Sequence, residues 1–326
     1  MIADGHKAEA SSQHAGRVHV VIPTHTTRHL AACLAGIGRQ EQMPASVVVS
    51  CDTDDPAIGN VLDEWWPPMC GSSGTVLIHV ARAHKGYAHP AQVRNNGFRA
   101  IERMVGLRPD DTVLGIDGDI VLGPEAVWRH AELARDGAEL VLGFRICLSE
   151  AATMRVTPWG VMEGADRTVL TPEEEAAEYK LLQDRQARYE KSLLVRNVFP
   201  APLRDIFVKP HKPKLISAHY AVSAAKLLEV NGFDEEYRDY GYEDDDLGRR
   251  LHAARAKTRI GVRDILAYHL WHPTRAPRSP MDTPGYCRFS LKGLPKVAAH
   301  GIRNPMPQDE PVMRVVSDRR HAAASR

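Results

Sequence analysis

Short apolar runs alternate with helix-like segments through the first 145 residues of the chain. Four of these runs are rich in β-branched residues and apolar throughout, which is typical of strands buried on both faces. The runs cover Arg17–Ile22, Ser46–Cys51, Thr75–Val80 and Thr112–Ile116. Helical spacing of apolar residues marks Thr24–Gln40, a stretch containing Leu62, Trp65 and Trp66, Pro90–Val105 and Pro124–Arg135. The alternation predicts an α/β fold, with a mostly parallel central sheet flanked by helices.

The alternation lapses from about residue 151. A long charged helix is predicted to begin at Pro172, with Thr171 as its N-cap, and to end near Leu194. After a proline-rich stretch, the pattern predicts a strand over 215–222, helices ending at Val230 and Arg255, and a last strand over Asp264–Leu270. Residues 315–326 are predicted to form a frayed tail.

Charged residues nearly cancel, since 42 Lys and Arg stand against 41 Asp and Glu and leave a net charge of +1. General binding to nucleic acid would require a basic excess, so we expect no nucleic-acid partner. The five cysteines form no CxxC pair, which fits the reduced thiols of a cytoplasmic protein. The N-terminus lacks the apolar core of a signal peptide, and no run approaches about 18 apolar residues, so no transmembrane segment is expected.

Two carboxylates, Asp117 and Asp119, flank Gly118 at the end of the fourth predicted strand. Carboxylates at this spacing can bind one divalent cation, and the glycine lets a ligand approach the backbone closely. Ligands of parallel α/β sheets bind where the strands end, which favours a metal site at this point. A solvated turn between a strand and a helix is the alternative interpretation.

A second concentration of charge, Glu243-Asp244-Asp245-Asp246, follows Tyr240 and Tyr242. Acidic residues stabilise a helix N-terminus through the helix dipole, but four in succession repel one another and exceed that role. Carboxylates held together also have raised pKa values, as a general base requires. We therefore favour a proton-accepting site over a purely structural helix start.

Two histidines, His269 and His272, close the last predicted strand. Imidazole is a ligand for Mn or Zn and could complete a carboxylate site, although a histidine at a strand end is often only a hydrogen-bonded structural residue. Other binding motifs are broken. Glu41 interrupts the dinucleotide-binding glycine pattern that begins at Gly36, and Pro56 interrupts the calcium-loop pattern that begins at Asp52.

Several segments between Val18 and Pro273 together resemble the GT-A glycosyltransferases, in particular the inverting family-2 enzymes whose C-terminal part is similar to the galactosyltransferase family. The segments are VVIPTHTTRHL, SVVVSCD, HPAQVRNNG, LGIDGDIVL, NGFDEEY, GYEDDDLGRRL and YHLWHP. The chain departs from the family pattern twice. Tyr240 stands in place of a tryptophan, although it could still stack on a sugar, and Ser-Ala-His219-Tyr220 stands in place of Gly-x-Asn-x.

The resemblance implies a donor site and a metal site. Its donor-binding residues are Pro23, Thr24, Asp52, Arg94, Asp117 and Gly118. Among them, Asp52 matches the residue that contacts the donor base, Arg94 a position near the diphosphate, and Asp117 the carboxylate nearer the ribose. Asp119 matches the direct metal ligand and His272 the C-terminal metal ligand, with His269 as a possible helper.

The same resemblance implies the catalytic and acceptor residues. Asp244 matches the catalytic base that takes the proton from the acceptor hydroxyl. The residues implied on the acceptor side are Glu243, Asp245, Tyr240 and Tyr242. The expected reaction moves a sugar from a nucleoside-diphosphate sugar, in the first place a UDP-sugar, to an acceptor hydroxyl with inversion, using Mn²⁺ or Mg²⁺. Polysaccharide or glycoconjugate synthesis is the expected context, with a glycan, lipid-linked or small-molecule acceptor.

Three alternatives stay open at this point: a non-catalytic nucleotide- or carbohydrate-binding protein on the same fold, a nucleotidyltransferase, and a retaining glycosyltransferase. Intact acidic and histidine motifs argue against the first, and the lack of glycine in residues 22–27 argues against the second. The implied organisation is a disordered lead over 1–16, a nucleotide-sugar-binding half over 17–145, a helical and proline-rich insertion over 146–214, an acceptor and catalytic half over 215–275, and a partly disordered extension over 276–326.

Overall fold

Two β-sheets form the centre of the protein, whose computed structural model describes residues 16–70, 73–165, 169–239, 241–273, 281 and 283–317. The strands in these ranges are β1 (Val18–Thr24), β2 (Ser46–Cys51), β3 (Val76–Ala81), β4 (Thr112–Ile116), β5 (Ile120–Leu122), β6 (Leu140–Leu142), β7 (Ile146–Cys147), β8 (His219–Ser223), β9 (Thr258–Ile260), β10 (Ala267–His269) and β11 (Val312–Ser317). The larger sheet has the order β11-β3-β2-β1-β4-β8-β6-β9, and the smaller sheet has the order β5-β10-β7.

Helices connect these strands. Those in the described ranges are α1 (Leu30–Gly38), α2 (Pro56–Cys70), α3 (Pro90–Met104), α4 (Ala126–Arg135), α5 (Glu150–Met154), α6 (Pro158–Met162), α7 (Pro172–Val198), α8 (Ala201–Phe207), α9 (Ala224–Glu229), α10 (Glu243–Ala253) and α11 (Pro284–Phe289). Thr171 caps α7 as predicted, through reciprocal hydrogen bonds with Glu174. Within the described residues, none of the helices combines the length and the apolar character needed to cross a bilayer.

The four predicted apolar runs form adjacent strands in the order β3-β2-β1-β4, and every contact between them is parallel. All six residues of β2 are buried, as expected for a strand covered on both faces. The predicted α/β fold with a mostly parallel sheet is therefore confirmed. Parallel strands end at one edge of a sheet, so the residues that follow β1, β2, β3 and β4 are gathered there.

Helix α3 packs closely against the sheet because it carries a glycine where it crosses β1. A Cβ atom at Gly97 would lie 2.5 Å from Cγ1 of Val21, which no side chain could tolerate without displacing the helix. The close approach brings the first turns of α3, including Arg94, down to the edge where the parallel strands end. This explains how an arginine on a surface helix becomes buried.

The second half of the chain adds antiparallel and short strands, and the predicted strand over 215–222 is correct for its last four residues, which belong to β8. Strand β8 pairs antiparallel with β4, so that His219 lies opposite Ile116. In the smaller sheet, β10 pairs antiparallel with β5 and places His269 opposite Ile120. The predicted strand over Asp264–Leu270 is correct only for the residues of β10. Strands of three residues carry too few side chains for their alternation to be recognised.

The prediction that residues 315–326 form a frayed tail is wrong for residues 315–317, which belong to β11. This strand pairs antiparallel with β3, with Val312 opposite Ala81. Arg314 fixes it by an ion pair with Asp63 of α2, at 2.9 Å between Nη1 and Oδ1. Edge pairing of this kind joins segments more than 200 residues apart and leaves no local signal. Residues 318–326, like 1–15, lie outside the described residues.

A buried carboxylate ties the first strand to the loop before the fourth. Asp111 accepts hydrogen bonds from the backbone amides of Arg17 (2.9 Å) and Arg108 (2.8 Å) and from the Arg17 guanidinium (2.6 Å). Burial opposes ionisation, but these bonds outweigh it and lower the pKa of Asp111 to about 2. A depressed carboxyl pKa stabilises the folded state above the unfolded pKa and loses this effect as pH falls.

We expect Asp111→Asn to lower the free energy of unfolding by about 3 kcal/mol near neutral pH, because Arg17 loses its buried partner. In the wild type, about 2 kcal/mol of stability should disappear between about pH 4 and pH 2, and the variant should lack this part of the decline. Urea unfolding at several pH values measures both effects. The exposed neighbour Asp110 provides the matched control, Asp110→Asn. An equal loss in both variants would contradict the assignment.

Candidate active site

Three side chains that could bind a metal ion converge next to the short strand β5. The carboxylate Oδ2 of Asp119 lies 3.1 Å from Nε2 of His272 and 3.5 Å from Nε2 of His269. The pairing of β5 with β10 creates the cluster, because His269 lies opposite Ile120 and the amide of Leu270 donates to the Asp119 carbonyl at 2.9 Å. The potential ligand atoms of the three residues lie within 4.8 Å of one another.

The three side chains of this cluster change one another's pKa values. Burial alone would raise the pKa of Asp119, but hydrogen bonding and charge from His269, together with His272, lower it. Burial opposes protonation of His269, yet its bonds to Asp119 and Cys147 raise its pKa to about 9. Oδ1 of Asp119 is buried and has no hydrogen-bond partner among the described residues. A carboxylate oxygen in this condition is ready to bind a metal ion.

Arg94 links the Asp-x-Asp turn to the start of α10. Its guanidinium donates to Oδ1 of Asp117 at 2.9 Å and to Oε1 of Glu243 at 3.3 Å. The arginine is almost fully buried and lies 5.4 Å from the ring of Phe233. Burial is the largest influence on Asp117 and raises its pKa, with Arg94 opposing and Asp119 adding to the rise. One positive charge is thus shared by the half-buried carboxylate of Asp117 and the buried carboxylate of Glu243, which come from opposite halves of the chain.

The four acidic residues at the start of α10 pair with four different basic residues. Glu243 meets Arg94, whereas Asp244 and Asp245 face Lys214, whose Nζ lies 3.9 Å and 3.1 Å from their Oδ2 atoms. Asp246 instead pairs with Arg249 and Arg250, each at 2.7 Å. The interpretation of the whole run as functional is therefore too broad, because Asp246 is held by a buried structural ion pair.

The local backbone separates these side chains. Gly241 and Tyr242 both have positive φ angles, of 96° and 71°. The left-handed conformation costs free energy at a tyrosine and turns the chain sharply into the helix. Within α10 itself, successive carboxylates point in different directions, because neighbouring residues of a helix are rotated by about 100°.

Burial adjusts the pKa values of this group upward. Burial, followed by the charge of Asp244, raises the pKa of Glu243 to about 7 against the opposing charge of Arg94. Burial also raises the pKa of Asp244, with Lys214 opposing this rise and Asp245 adding to it. Asp244 accepts a hydrogen bond from the Asp245 amide at 2.8 Å. Asp244 is thus a largely buried carboxylate with a raised pKa, and these are the properties of a general base.

Lys214 is a site residue that the sequence analysis missed. It follows a proline-rich segment in which lysines are frequent, so nothing local distinguishes it from Lys209 or Lys212. Arg82, at the start of the loop after β3, was also missed. It donates to Oδ1 of Asp52, and the His89 amide donates to Oδ2 at 3.0 Å. The Asp52 carboxylate, predicted to contact a donor base, is thus held in place by the loop 82–89 between β3 and α3.

The other predicted donor residues lie at the ends of neighbouring strands. A Cβ atom at Gly118 would lie 3.1 Å from the side chain of Thr24, so the glycine allows the Asp-x-Asp turn to lie directly on the end of β1. The carbonyl of Thr24 accepts from the Asp52 amide at 2.9 Å, and Pro23 precedes it in the same strand. Pro23, Thr24, Asp52 and Gly118 are therefore brought together, although they come from three separate parts of the sequence.

The predicted acceptor side is only partly covered by the structure. Tyr240 lies outside the described residues. Tyr242 contacts Tyr286 and Phe289 of α11 at centroid distances of 5.3 Å and 5.4 Å, an aromatic group that the sequence analysis did not predict. His219, which departs from the family pattern, is buried and bonded to His130 at 3.1 Å and to the Phe144 carbonyl at 2.6 Å.

Comparison with known proteins adds a family match and similar folds. Residues 202–270 match the family model of the N-terminal domain of galactosyltransferase, which includes Lys214, the α10 carboxylates and His269 but ends before His272. No curated protein sequence matches the chain. The structure is similar to that of GalNAc-T7 with UDP, GalNAc and Mn²⁺, with a TM-score of 0.50, 13% identity, 84% of this chain covered and 47% of that chain covered.

A second similar structure is S. aureus TarS 1-349 in complex with UDP, with a TM-score of 0.46, 14% identity, and coverage of 77% of this chain and 60% of that chain. The chain therefore spans less than two thirds of the length of either protein. At such identities the likeness concerns the fold alone. The GT-A type of fold that the sequence motifs predicted is confirmed by this similarity.

Proposed function

We propose that the protein is a metal-dependent glycosyltransferase that moves a sugar from a nucleoside-diphosphate sugar, in the first place a UDP-sugar, to an acceptor hydroxyl with inversion. One observation carries the proposal. A carboxylate and two imidazoles suited to a divalent cation lie at the end of the Asp-x-Asp turn, and Arg94 joins the first residue of that turn, Asp117, to Glu243 at the start of α10. The family match over residues 202–270 and the GT-A fold support the same activity.

The donor set of Asp119, His269 and His272 fits Mn²⁺, because this ion accepts both oxygen and imidazole nitrogen ligands. The unpartnered Oδ1 of Asp119 gives the fit an independent basis, since a buried carboxylate oxygen without a donor is costly unless a ligand occupies it. Mg²⁺ is the alternative ion. A divalent ion bound here would neutralise negative charge on the leaving nucleoside diphosphate.

Asp244 is proposed to act as the general base. Its raised pKa suits proton acceptance from a sugar or polyol hydroxyl near neutral pH. The Nζ atom of Lys214 lies 3.9 Å from Oδ2 of Asp244, and its positive charge favours the ionised form of that carboxylate. Attack by the deprotonated hydroxyl on the face opposite the leaving group inverts the anomeric carbon in a single displacement.

The remaining proposed roles concern binding. Asp117 and Gly118 would contact the ribose and diphosphate of the donor, with Arg94 orienting Asp117 through its 2.9 Å bond. Pro23, Thr24 and Asp52 would line the base pocket. On the acceptor side, Glu243 and Asp245 would position the hydroxyl, and Tyr242 with Tyr240 would stack on the sugar ring. A glycan, lipid-linked or small-molecule acceptor fits a role in polysaccharide or glycoconjugate synthesis.

Thermal unfolding with a panel of nucleoside-diphosphate sugars tests the proposal. With Mn²⁺ present, a UDP-sugar at about a hundred times its dissociation constant should raise the melting temperature by about 4 °C. Without the metal, the same ligand should give little or no shift, because its diphosphate then lacks its main partner. Stabilisation by no nucleotide with any divalent metal would contradict the assignment.

A further inference from the structure

An exposed apolar surface surrounds the end of α7. Leu194 and Val198 lie one helical turn apart and are 63% and 62% exposed. Ile206 and Phe207 of α8 are 74% and 63% exposed. The rings of Phe199 and Phe207 lie 5.8 Å apart, so the two helices bring their apolar side chains together. Adjoining exposed apolar side chains of this size usually mark a surface that binds a partner or a membrane.

Basic residues accompany these apolar side chains. Residues 191–214 contain six basic residues and a single acidic one, namely Lys191, Arg196, Arg204, Lys209, Lys212 and Lys214 against Asp205. Burial, followed by the charge of Arg204, lowers the pKa of Arg196 to about 10. Among the described residues, Nη1 of Arg196 has no hydrogen-bond partner. Arg204 and Lys214 pair with acidic residues, whereas Lys191, Lys209 and Lys212 form no ion pair within the described ranges, so this stretch carries an excess of positive charge.

A second segment of the chain extends this surface with the same composition. Phe289, at the end of α11, contacts the ring of His211 at 5.3 Å. After it, Leu291 and Val297 are exposed, and the segment 289–297 contains two lysines and no acidic residue. Residues 191–212 and 289–297 together are called the basic apolar face. Two separate parts of the sequence converge on one combination of exposed apolar and basic residues.

We propose that the basic apolar face binds the surface of an anionic lipid bilayer. Exposed Leu, Ile and Phe side chains would enter the headgroup region, and the surrounding Lys and Arg side chains would contact lipid phosphates. A lysine-rich surface is unfavourable at a protein–protein interface, whose core is depleted of lysine, whereas it is typical of helices that lie on membranes. Charge complementarity thus favours a lipid surface over a protein partner.

The charge distribution along α7 gives the bound protein an orientation. Its first turn carries Glu173, Glu174 and Glu175, about 36 Å from Val198 at the other end. An anionic surface would attract the end at Val198 and repel the acidic end. The basic apolar face adjoins the candidate site in sequence. Lys214 follows Lys212, the end of its first segment, by two positions, and Nζ of Lys214 lies 3.1 Å from Oδ2 of Asp245. A bilayer bound in this way would lie on the side of the protein where α10 begins, whatever reaction occurs there.

Co-sedimentation of the full chain with lipid vesicles tests the proposal. The protein should bind vesicles of mixed phosphatidylcholine and phosphatidylglycerol, and should bind at least about tenfold more weakly to phosphatidylcholine alone or at high salt, since each basic residue contributes about fivefold. Ile206→Glu should weaken binding by about tenfold or more. The matched control is Met154→Glu, because Met154 is 75% exposed and lies outside the face. Circular dichroism confirms that both variants are folded.

Three results would overturn the proposal. Binding to neither kind of vesicle, or equal binding to both, would exclude recognition of anionic lipid. A loss of binding in Met154→Glu as large as that in Ile206→Glu would show that the effect is not specific to the face. A concentration-dependent dimer in sedimentation equilibrium that Ile206→Glu dissociates would show that a second copy of the chain covers the face instead. None of these readouts depends on sugar transfer.

Discussion

Replacing Asp244 with asparagine is expected to slow sugar transfer by at least about a thousandfold while nucleotide binding survives. Asparagine has the same shape but cannot accept the proton of an acceptor hydroxyl. The fold should tolerate the change, because Asp244 accepts from the Asp245 amide at 2.8 Å and an asparagine oxygen can accept the same bond. Lys214 keeps its nearer partner, Asp245, at 3.1 Å.

Steady-state transfer kinetics with a UDP-sugar, together with the Mn²⁺-dependent thermal shift, measure the two halves of this prediction. Asp245→Asn is the matched control, since it removes the same charge one residue away. It should raise KM for the acceptor and leave kcat within about tenfold of the wild type, because Asp245 positions and does not take the proton. Loss of metal-dependent nucleotide binding in Asp244→Asn would instead make Asp244 a ligand or a structural residue.

The pH dependence of transfer gives a separate readout of the same role. A base must be ionised to act, so a raised pKa moves the acidic limb of the rate profile upward. Because burial raises the pKa of Asp244, the acidic limb of the wild-type rate profile should lie above the ordinary titration range of an aspartate and fall by about tenfold per pH unit. Glu243→Gln should move this limb to lower pH, because Asp244 then has one anionic neighbour fewer, with Asp245 remaining.

The parallel half of the fold could be predicted because its information is local. A strand such as Ser46–Cys51 is apolar at every position, and the helix that begins at Pro90 has both its start and its spacing in the sequence. The Asp-x-Asp turn follows directly from its position after β4. The contact between Gly118 and Thr24 is not local, but it could be expected as well. The predicted fold class implies that parallel strands end at a common edge.

Other parts of the candidate site depend on pairings that no local pattern carries. Arg94 and Glu243 are joined across 149 positions of sequence, and the bond exists because Gly97 lets α3 lie against β1. Lys214 reaches the α10 carboxylates through a proline-rich segment without any periodic pattern. For Asp246 the sequence pattern predicted too much. It belongs to the acidic run interpreted as functional, but it pairs with the buried Arg250. Composition alone could not separate these cases.

Replacing Asp119 with asparagine is expected to lower Mn²⁺ affinity by at least about a hundredfold. Loss of a residue that only hydrogen-bonds to a metal ligand costs up to about a hundredfold, and loss of a charged ligand should cost no less. Asparagine keeps an oxygen at the same place but removes the negative charge that attracts the ion. His272→Ala and His269→Ala should each weaken binding as well, because both Nε2 atoms lie within 3.5 Å of Oδ2 of Asp119. Isothermal titration with MnCl₂, in the presence and absence of UDP, measures the affinities.

A matched control separates coordination from general attraction of cations to an acidic surface. Asp54 is exposed in the acidic turn after β2, at the same edge of the sheet, and Asp54→Asn makes the same change of charge there. If Asp119 coordinates the ion, Asp54→Asn should retain nearly the full affinity, since exposed charges interact weakly through water and salt. Native affinity in Asp119→Asn would contradict the metal site. An equal loss in both variants would mean that the ion is held by the diffuse negative potential of this edge, and the proposed neutralisation of the leaving diphosphate would then lose its structural basis.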